Sequence, residues 1–260
     1  MTVPSADSVA LGRGRWEELL EQERNALGQP LGFRVEDWTT PARPGREILS
    51  GRTCTVEPLD LGRHCRSLFE ANALDTDGRS WTYLAYGPFS TIDDYEVWFR
   101  NAEASHDPLF FGIVDRESVR AVGIASYLRI DPANGSIEIG HLHFSPLLQR
   151  TPAATEALYL MIDRAFELGY RRVEWKCNSL NAASRRSAQR LGFSFEGIFR
   201  QATVVKGRNR DTAWYSIIDR EWPALRCQFA RWLDPANFTE DGEQILALSN
   251  LTEPLLSQRG

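Results

Sequence analysis

The hydrophobic positions after residue 52 switch between alternating and helical spacing, which predicts a succession of strands and helices. The elements predicted in the first half are the strand RTCTVEPL, the helices LGRHCRSLFEANAL and TIDDYEVWFRNAEA, and the strands LFFGIVD, VRAVGIASYLRID and SIEIGHLHFS. Thr91 is a suitable N-cap for the second helix. Turn signals that start at Asp115 and Asp131 separate the three strands. We therefore predict an antiparallel meander in this part of the chain.

The second half opens with the clearest helical signal. Thr151 is a suitable N-cap, Pro152 occupies the first helical position and Gly169 closes the helix. Its apolar face consists of Ala154, Ala157, Leu158, Met161, Ile162 and Ala165. The elements predicted after it are the strand RRVEWKCN, the helix NAASRRSAQRLG, the hairpin strands FSFEGIFRQATVVKG and DTAWYSIID, and a C-terminal helix with Trp222, Leu225, Phe229 and Trp232 on one stripe. Strands and helices that alternate in this way indicate an α/β chain.

The N-terminal region has a different pattern. Trp16, Leu19, Leu20 and Leu27 recur at helical spacing, so we predict an amphipathic helix from Arg13 to Leu27. The segment after it is rich in Pro and Gly and predicts an extended arm, which lies across the main domain or a second subunit. The predicted divisions are an N-terminal extension (1–51), a main domain (52–220) and a C-terminal helix and tail (221–260).

The composition is that of a folded globular protein. Of the 260 residues, 42% are hydrophobic and 25% are charged. No apolar run approaches the roughly 18 residues of a membrane span. The first residues also lack the basic and apolar pattern of a signal peptide. We therefore expect a soluble, cytoplasmic protein that has no membrane partner.

The charge and the cysteines exclude further classes. A net charge of −5 argues against nucleic acid as the main partner, because neutralising phosphates requires a basic face. The cysteines are Cys54, Cys65, Cys177 and Cys227, and none of them forms a CxxC motif. Their wide spacing indicates reduced, mostly buried thiols rather than a disulfide framework.

The segment SPLLQRTPAATEA is a candidate anion site. It joins the strand that ends near Phe144 to the helix that starts near Pro152, and Ala153 and Ala154 leave the helix start uncrowded. Free backbone N–H groups and the positive end of the helix dipole can bind an anion there. The alternative is a well-capped helix that packs on the sheet and binds no ligand.

Three segments make the chain resemble the GNAT N-acetyltransferase superfamily, in particular its ribosomal-protein N-terminal acetyltransferase branch. They are IEIGHLHFSP, QRTPAATEALYLMIDRAFELGYRRVEW and NSLNAASRRSAQRLGFSFEGIFR, within roughly residues 52–219. The resemblance implies an α/β (α+β) fold with a central mixed, mostly antiparallel sheet flanked by helices. It also implies direct transfer of an acetyl group from acetyl-CoA to a primary amine, either a peptide N-terminus or a small molecule.

The loop that binds the acetyl-CoA pyrophosphate in this family has the pattern Arg/Gln-x-x-Gly-x-Gly/Ala. The matching loop here has Pro152 in place of the middle glycine. Proline has no N–H, so one phosphate donor is lost. The loop residues that the resemblance assigns to cofactor binding are Gln149, Arg150, Thr151, Ala153, Ala154 and Thr155. Among them, Arg150 can replace the lost donor with a charge-assisted bond.

The helix after the RRVEWKCN strand carries further residues that the resemblance assigns. Asn181 is expected to bond the pantetheine or phosphate arm, although asparagine also suits a helix N-cap. Ser184, one turn later, is expected to bond the cofactor or to protonate the leaving thiolate. Arg185 is expected to meet the 3′-phosphate, and a solvated basic face is the alternative.

The strand SIEIGHLHF carries the expected reaction centre. A backbone N–H at Leu142 or His143 is expected to stabilise the negative charge that develops on the acetyl oxygen, and Phe144 ends this cofactor-binding stretch. Glu138 matches a family glutamate that can act as the base for the amine. The alternative for Glu138 is a structural carboxylate paired with an arginine on a neighbouring strand.

An aromatic loop is expected to form the acceptor site. Trp81, Tyr83, Tyr86 and His141 are its predicted lining, and core packing is the alternative for at least half of the aromatic residues. His141 and His143 share a strand face by alternation. We predict no metal site, because metal sites need three or more convergent ligands and no such motif is present.

Two alternatives stay open at this point. A catalytically silent CoA-binding sensor or structural subunit would be compatible with the proline at position 152. A different acyl donor would need additional polar groups that the sequence does not place. The sequence determines neither the acceptor nor the oligomeric state, and a homodimer is compatible with it.

Overall fold

A computed structural model describes residues 23–260, and the chain divides between Thr39 and Thr40 into two compact units. In the first unit, Asn25 accepts hydrogen bonds from the backbone N–H groups of Leu27 and Gln29 and so stabilises a turn. The helix predicted from Arg13 to Leu27 lies largely outside the described residues. Its final part, residues 23–27, forms a bridge and this turn, so the prediction is wrong there.

The second unit is built on one mixed sheet. Its strands are β1 (Leu49–Ser50), β2 (Cys54–Pro58), β3 (Leu109–Asp115), β4 (Arg120–Asp131), β5 (Ser136–Phe144), β6 (Arg172–Asn178), β7 (Ser194–Val205) and β8 (Arg208–Ile218). Their order is β1-β2-β3-β4-β5-β6-β8-β7. Every described neighbouring pair is antiparallel except β5 with β6. The predicted mixed, mostly antiparallel sheet is confirmed.

Helices cover both faces of this sheet. They are α1 (Leu61–Asn72), α2 (Ile92–Ala104), α3 (Pro152–Glu167), α4 (Ala182–Arg190), α5 (Trp222–Leu233) and the short α6 (Leu248–Thr252). The predicted N-caps are confirmed, because Thr91 accepts from the N–H of Asp94 and Thr151 accepts from the N–H of Ala154. Within residues 23–260, no helix is long and apolar enough to cross a bilayer.

Two hydrophobic clusters lie on opposite sides of the sheet, and they decide which way each strand residue faces. The first cluster contains α3 and α5 and includes Ile137, Ile139 and Met161. The second contains α1 and α2 and includes Tyr95 and Phe99. Burying each such side chain stabilises the fold by roughly 1.5–3 kcal/mol. The strand faces therefore hold their orientation and position the polar residues between the clusters.

The predicted domain boundaries at residues 51 and 220 stay predictions. The second compact unit starts at Thr40, and Leu49 of β1 pairs with Val56 of β2.

All four cysteines are free thiols. Three of them are buried and Cys227 is exposed.

Candidate functional site

The sheet opens between its two parallel strands. β5 and β6 pair only at their starts, the last pair being Glu138 with Glu174. Beyond that point β6 continues to pair with β8 as far as Asn178, whereas β5 has no described partner on that side. The backbone groups along this edge of β5 are therefore available to a ligand. This opening is the cleft that the predicted site requires.

A β-bulge lies in β5 beside this opening. Gly140 pairs with Ser126 and His143 pairs with Ile124, so β5 holds one more residue than β4 in this stretch. His141 has a positive φ of 50°. A bulge adds a residue on one strand and reverses the alternation of side chains after it.

The bulge brings both histidines to the face of Glu138. Before it, Ile137 and Ile139 pack in the first cluster, and after it Leu142 and Phe144 pack there as well. The opposite face of β5 therefore carries Glu138, Gly140, His141 and His143. Without the extra residue, the histidines would face the first cluster. The predicted sharing of one face by the two histidines is confirmed.

Glu138 forms two ion pairs through one of its oxygens. Its carboxylate is 3% exposed, and Oε2 lies 2.8 Å from Nη1 of Arg129 and 3.0 Å from Nζ of Lys176. Burial raises the pKa of Glu138, while the charges of Lys176 and Arg129 act in the opposite direction. Oε1 has no hydrogen-bond partner among the described residues and lies toward Gly140. The structural pairing with an arginine of a neighbouring strand is present, and one oxygen remains available.

His141 lies in an aromatic setting. Its Nδ1 is 3.3 Å from Oη of Tyr86, the two rings are nearly parallel, and Phe110 meets the imidazole edge-on. Burial lowers the pKa of His141 to about 4, and the charges of Arg129 and Arg210 act in the same direction. His141 is therefore neutral at pH 7.

His143 ends a chain of polar groups. The hydroxyl of Ser80 donates to Oδ2 of Asp75 at 2.6 Å and lies 2.9 Å from Nε2 of His143. The ring of Trp81 covers the imidazole at a centroid distance of 3.6 Å. Burial lowers the pKa of His143 to about 4, opposed by the charge of Asp75. Nδ1 of His143 is buried and has no hydrogen-bond partner within the described part of the chain.

The aromatic loop is tied to the far side of the opening. Oη of Tyr83 donates to the carbonyl of Leu180 at 3.2 Å. Nζ of Lys206, at the tip of the β7–β8 hairpin, donates to the carbonyls of Trp81 and Gly87 at 3.0 and 2.9 Å. The loop therefore bridges from β5 to β6 and β8. It lies above the sheet face that carries Glu138, His141 and His143, which is the expected reaction face. Trp81 itself is 4% exposed and belongs to the second cluster, the packing alternative stated for the aromatic residues.

The loop before α3 has fewer free donors than its sequence suggests. The N–H of Ala154 donates to Oγ1 of Thr151 at 3.3 Å, and Pro152 has no N–H. Thr155 is buried and its hydroxyl accepts from Nη1 of Arg190 at 3.0 Å. The amide of Ala154 and the hydroxyl of Thr155 therefore already have partners, and the cofactor roles of these two residues stay predictions.

Two residues of this loop keep groups available for an anion. Arg150 is exposed, with a φ of 64°, and Ala153 keeps its N–H in the first helical turn. Gln149 is less free, because its side chain donates to the carbonyl of Phe144 at 2.8 Å. The remaining positive group of this loop is therefore the guanidinium of Arg150.

The residues predicted on α4 all have structural partners. Asn181 caps the helix by accepting from the N–H of Ser184 at 3.1 Å, as its N-cap alternative requires. Ser184 accepts from Nε1 of Trp175 at 3.0 Å. Arg185 donates to Oη of Tyr215 and to the carbonyl of Ser179 at 3.1 and 3.2 Å. Their cofactor roles stay predictions.

Sequence reasoning missed two cations on the reaction face, Arg129 and Lys176. Lys206 and Arg210 lie in the basic, turn-rich hairpin VKGRNRD, for which the sequence leaves open contact with substrate, contact with a second subunit and a solvated loop. The alternation of RRVEWKCN contains a signal for Lys176, because buried Trp175 and Cys177 flank it and so face the other way. Among the described residues, no group of three or more His, Cys, Asp or Glu side chains is arranged to hold a metal ion.

Comparisons with known proteins agree with this geometry. A family model described as an acetyltransferase (GNAT) domain matches residues 57–194. A crystal structure of a GCN5-related N-acetyltransferase from Brucella melitensis is 46% identical, with a TM-score of 0.82, over 84% of this chain and 100% of that chain.

Two curated relatives come from Bacillus. YdaF of Bacillus subtilis, provisionally named a ribosomal N-acetyltransferase, is 33% identical over 147 residues, which are 55% of this chain and 78% of YdaF. The uncharacterised N-acetyltransferase p20 of Bacillus licheniformis is 31% identical over 117 residues, or 43% of this chain. This match spans 63% of the length of p20.

Proposed function

The chain belongs to the GNAT acetyltransferase family, and from this premise we propose that it transfers the acetyl group of acetyl-CoA directly to a primary amine. The observation that carries the proposal is the separation of β5 from β6 after Glu138. It leaves one strand edge open beside the N-terminal ends of α3 and α4. Acetyl-CoA supplies an activated thioester, and this edge offers backbone groups that can hold it.

The proposed cofactor residues are those that keep a polar group without a partner among the described residues. Arg150 and the N–H of Ala153 are the groups before α3 that can meet a pyrophosphate, while Asn181 keeps its side-chain N–H₂ for the pantetheine or phosphate arm. The N–H of Leu142 or His143, beside the bulge, stabilises the charge that develops on the acetyl oxygen. Direct transfer needs little beyond this positioning.

Glu138 is the proposed base. Its Oε2 is engaged by Arg129 and Lys176, so the free Oε1 is the atom that accepts the proton of the amine. Burial raises the pKa of Glu138, which strengthens it as a base. The two cations hold the carboxylate in place, and their charges oppose the rise of the pKa of Glu138 that burial causes. Ser184 is the proposed donor for the leaving thiolate.

The test is release of free thiol from acetyl-CoA with a panel of alkylamines, amino acids and peptides that have free N-termini. The expected result is thiol release that depends on the amine, with the acetylated amine detected by mass spectrometry. A rise in melting temperature with acetyl-CoA reports binding separately. Binding without turnover on the whole panel would favour the silent sensor, and absence of both would contradict the proposal.

A further inference from the structure

One cation on the reaction face has no partner. The guanidinium of Arg210 forms no hydrogen bond or ion pair with any described residue, and its Nε is buried without an acceptor. Burial lowers the pKa of Arg210 because desolvation is its largest influence. A buried donor left unpaired carries a desolvation cost, which is larger when the group is charged. A ligand that supplies the missing acceptor would remove that cost.

The nearest carboxylate along the chain is already engaged. Asp211 accepts from the N–H of Gln201 at 2.7 Å and from Nδ2 of Asn209 at 3.0 Å. The residue after Arg210 therefore stabilises the hairpin and leaves the guanidinium unpaired.

Arg210 faces the reaction centre. Arg210 and Trp214 are separated by an even number of positions on β8, so strand alternation directs both side chains to the same face. The register irregularities of this hairpin add residues to β7 and leave the alternation along β8 intact. The ring of Trp214 lies over Nζ of Lys176 at 3.7 Å, and Lys176 pairs with Glu138. The indole Nε1 of Trp214 is a second buried donor for which the described residues provide no acceptor. Two unsatisfied hydrogen-bond donors on the same face favour a ligand group that has only hydrogen-bond acceptors.

The local charge balance indicates the kind of acceptor. Arg129 and Lys176 share Glu138, and Lys176 also pairs with Glu174 at 2.6 Å. Arg210 is attracted by the charge of Glu138 but forms no ion pair with it or with any other described residue, so it remains the cation without a carboxylate in contact. A carboxylate carries one negative charge and two oxygens that match the planar fork of a guanidinium. A phosphate monoester, with close to two charges, would exceed this balance.

The cofactor phosphates are not the natural partner of Arg210. The segment from Gln149 to Thr155 covers the end of the loop before α3 and the first turn of α3, where Ala153 and Ala154 pack in the first cluster. Arg210 lies on the opposite face, with Glu138, His141 and the aromatic loop. The unpaired cation therefore lies on the acceptor side of the sheet.

We propose that Arg210 binds a carboxylate carried by the acceptor, so that the enzyme acetylates amines that also bear an acidic group. This inference rests on the proposed acetyl transfer at the same cleft. The carboxylate belongs either to a small amino acid or to an acidic residue at a peptide N-terminus. Both sources share the same recognition by the guanidinium.

The test compares matched acceptors. One pair is 5-aminovalerate and pentylamine, and the other is a peptide that begins with Glu and the same peptide that begins with Gln. The expected kcat/KM is at least tenfold higher for the acidic member of one pair, and the pair that shows it identifies the source. Arg210→Gln is expected to reduce this ratio to near one, and Arg210→Lys to an intermediate value. Arg208→Gln, on the exposed start of β8, is expected to keep the ratio of the wild type.

Each other outcome has a definite reading. The inference is overturned if kcat/KM is equal within both pairs, or if Arg210→Gln leaves the ratio unchanged. It is also overturned if Arg210→Gln changes only the KM for acetyl-CoA. If no acceptor turns over, acetyl transfer fails and the carboxylate site is tested by calorimetric binding of 5-aminovalerate to the CoA-loaded protein. Binding that Arg210→Gln abolishes supports the site, and no binding overturns it.

Discussion

The hydroxyl of Ser80 gives its only proton to Asp75 and therefore accepts from Nε2 of His143, 2.9 Å away. This relationship fixes the tautomer of the imidazole, with the proton on Nε2 and a bare lone pair on Nδ1. Nδ1 is buried and has no hydrogen-bond partner in residues 23–260, so its lone pair is an unused acceptor. The hydrogen bonds from Asp75 through Ser80 to His143 thus determine that Nδ1 of His143 is an acceptor next to the expected acetyl position.

The first prediction concerns this tautomer. ¹⁵N NMR of His143 is expected to show an unprotonated Nδ1 at pH 7, because burial lowers the pKa of the ring to about 4. Ser80→Ala removes the acceptor of the Nε2 proton, so a mixture of tautomers is expected. Ser90→Ala, at an exposed position of the same loop, serves as the control. A protonated Nδ1 in the wild type would contradict this assignment.

The second prediction concerns Glu138. Glu138→Gln keeps the shape of the side chain but removes the base, so the rate of acetyl transfer is expected to fall. The loss should be larger at about pH 7 than at about pH 9.5, because an alkyl amine with a pKa near 10 deprotonates itself at the higher pH. The affinity for acetyl-CoA should remain the same. A loss that is equal at both pH values would leave Glu138 with a structural role alone.

Most of the fold could be predicted from local signals. The helix start at Thr151 and Pro152 and the alternation of Val173, Trp175 and Cys177 depend on residues close in sequence, and the structure has both. The reversal at His141 has no such signal. Simple alternation would place His141 with Ile137 and Ile139, and only pairing with β4 reveals the extra residue.

The charges of the site depend on distant parts of the chain. Arg129, Glu138 and Lys176 belong to three strands whose order only the assembled sheet determines. Lys206 contacts carbonyls more than a hundred residues away along the chain. Neither periodicity nor capping signals carry such information, which explains why these contacts were not predicted.

The third prediction concerns Glu156, a structural acid in α3. Its carboxylate accepts from the N–H groups of Arg52, Thr53 and Cys54 at 2.7, 2.6 and 3.2 Å. Burial raises its pKa, but these bonds and that of the Thr53 hydroxyl outweigh burial and hold it below the usual value. Glu156→Gln is expected to lower the free energy of unfolding by roughly 1–3 kcal/mol at pH 7.

The pH dependence gives the check for Glu156. A pKa lowered by folding means that the stabilisation is complete above the unfolded pKa and is lost as the pH falls through the folded value. The difference in unfolding free energy between wild type and Glu156→Gln, from urea titrations, should therefore shrink below about pH 4.5. Glu167→Gln, on the exposed part of the same helix, should show almost no difference at either pH. A difference independent of pH would contradict the charged role.

The fourth prediction concerns the tie between the hairpin and the aromatic loop. Lys206→Met removes the donors to Trp81 and Gly87, so the loop should exchange its amide hydrogens faster and the KM for the amine should rise. The KM for acetyl-CoA should change little, because the loop lies on the acceptor side. Arg208→Met, at an exposed neighbouring position, should leave both quantities unchanged. Equal exchange rates in wild type and Lys206→Met would contradict this contact.

The last prediction concerns Pro152, which occupies the position of a family glycine and removes one N–H from the loop before α3. Pro152→Ala restores that N–H and adds less backbone freedom than glycine would, next to the N–H of Ala153 and close to Arg150. One further bond to a charged phosphate contributes roughly 1.5–3 kcal/mol. The Kd for acetyl-CoA, measured by calorimetry, should therefore fall by about tenfold or more. Ala153→Pro removes the remaining donor and should raise the Kd, whereas equal Kd values in all three proteins would show that the pyrophosphate lies elsewhere.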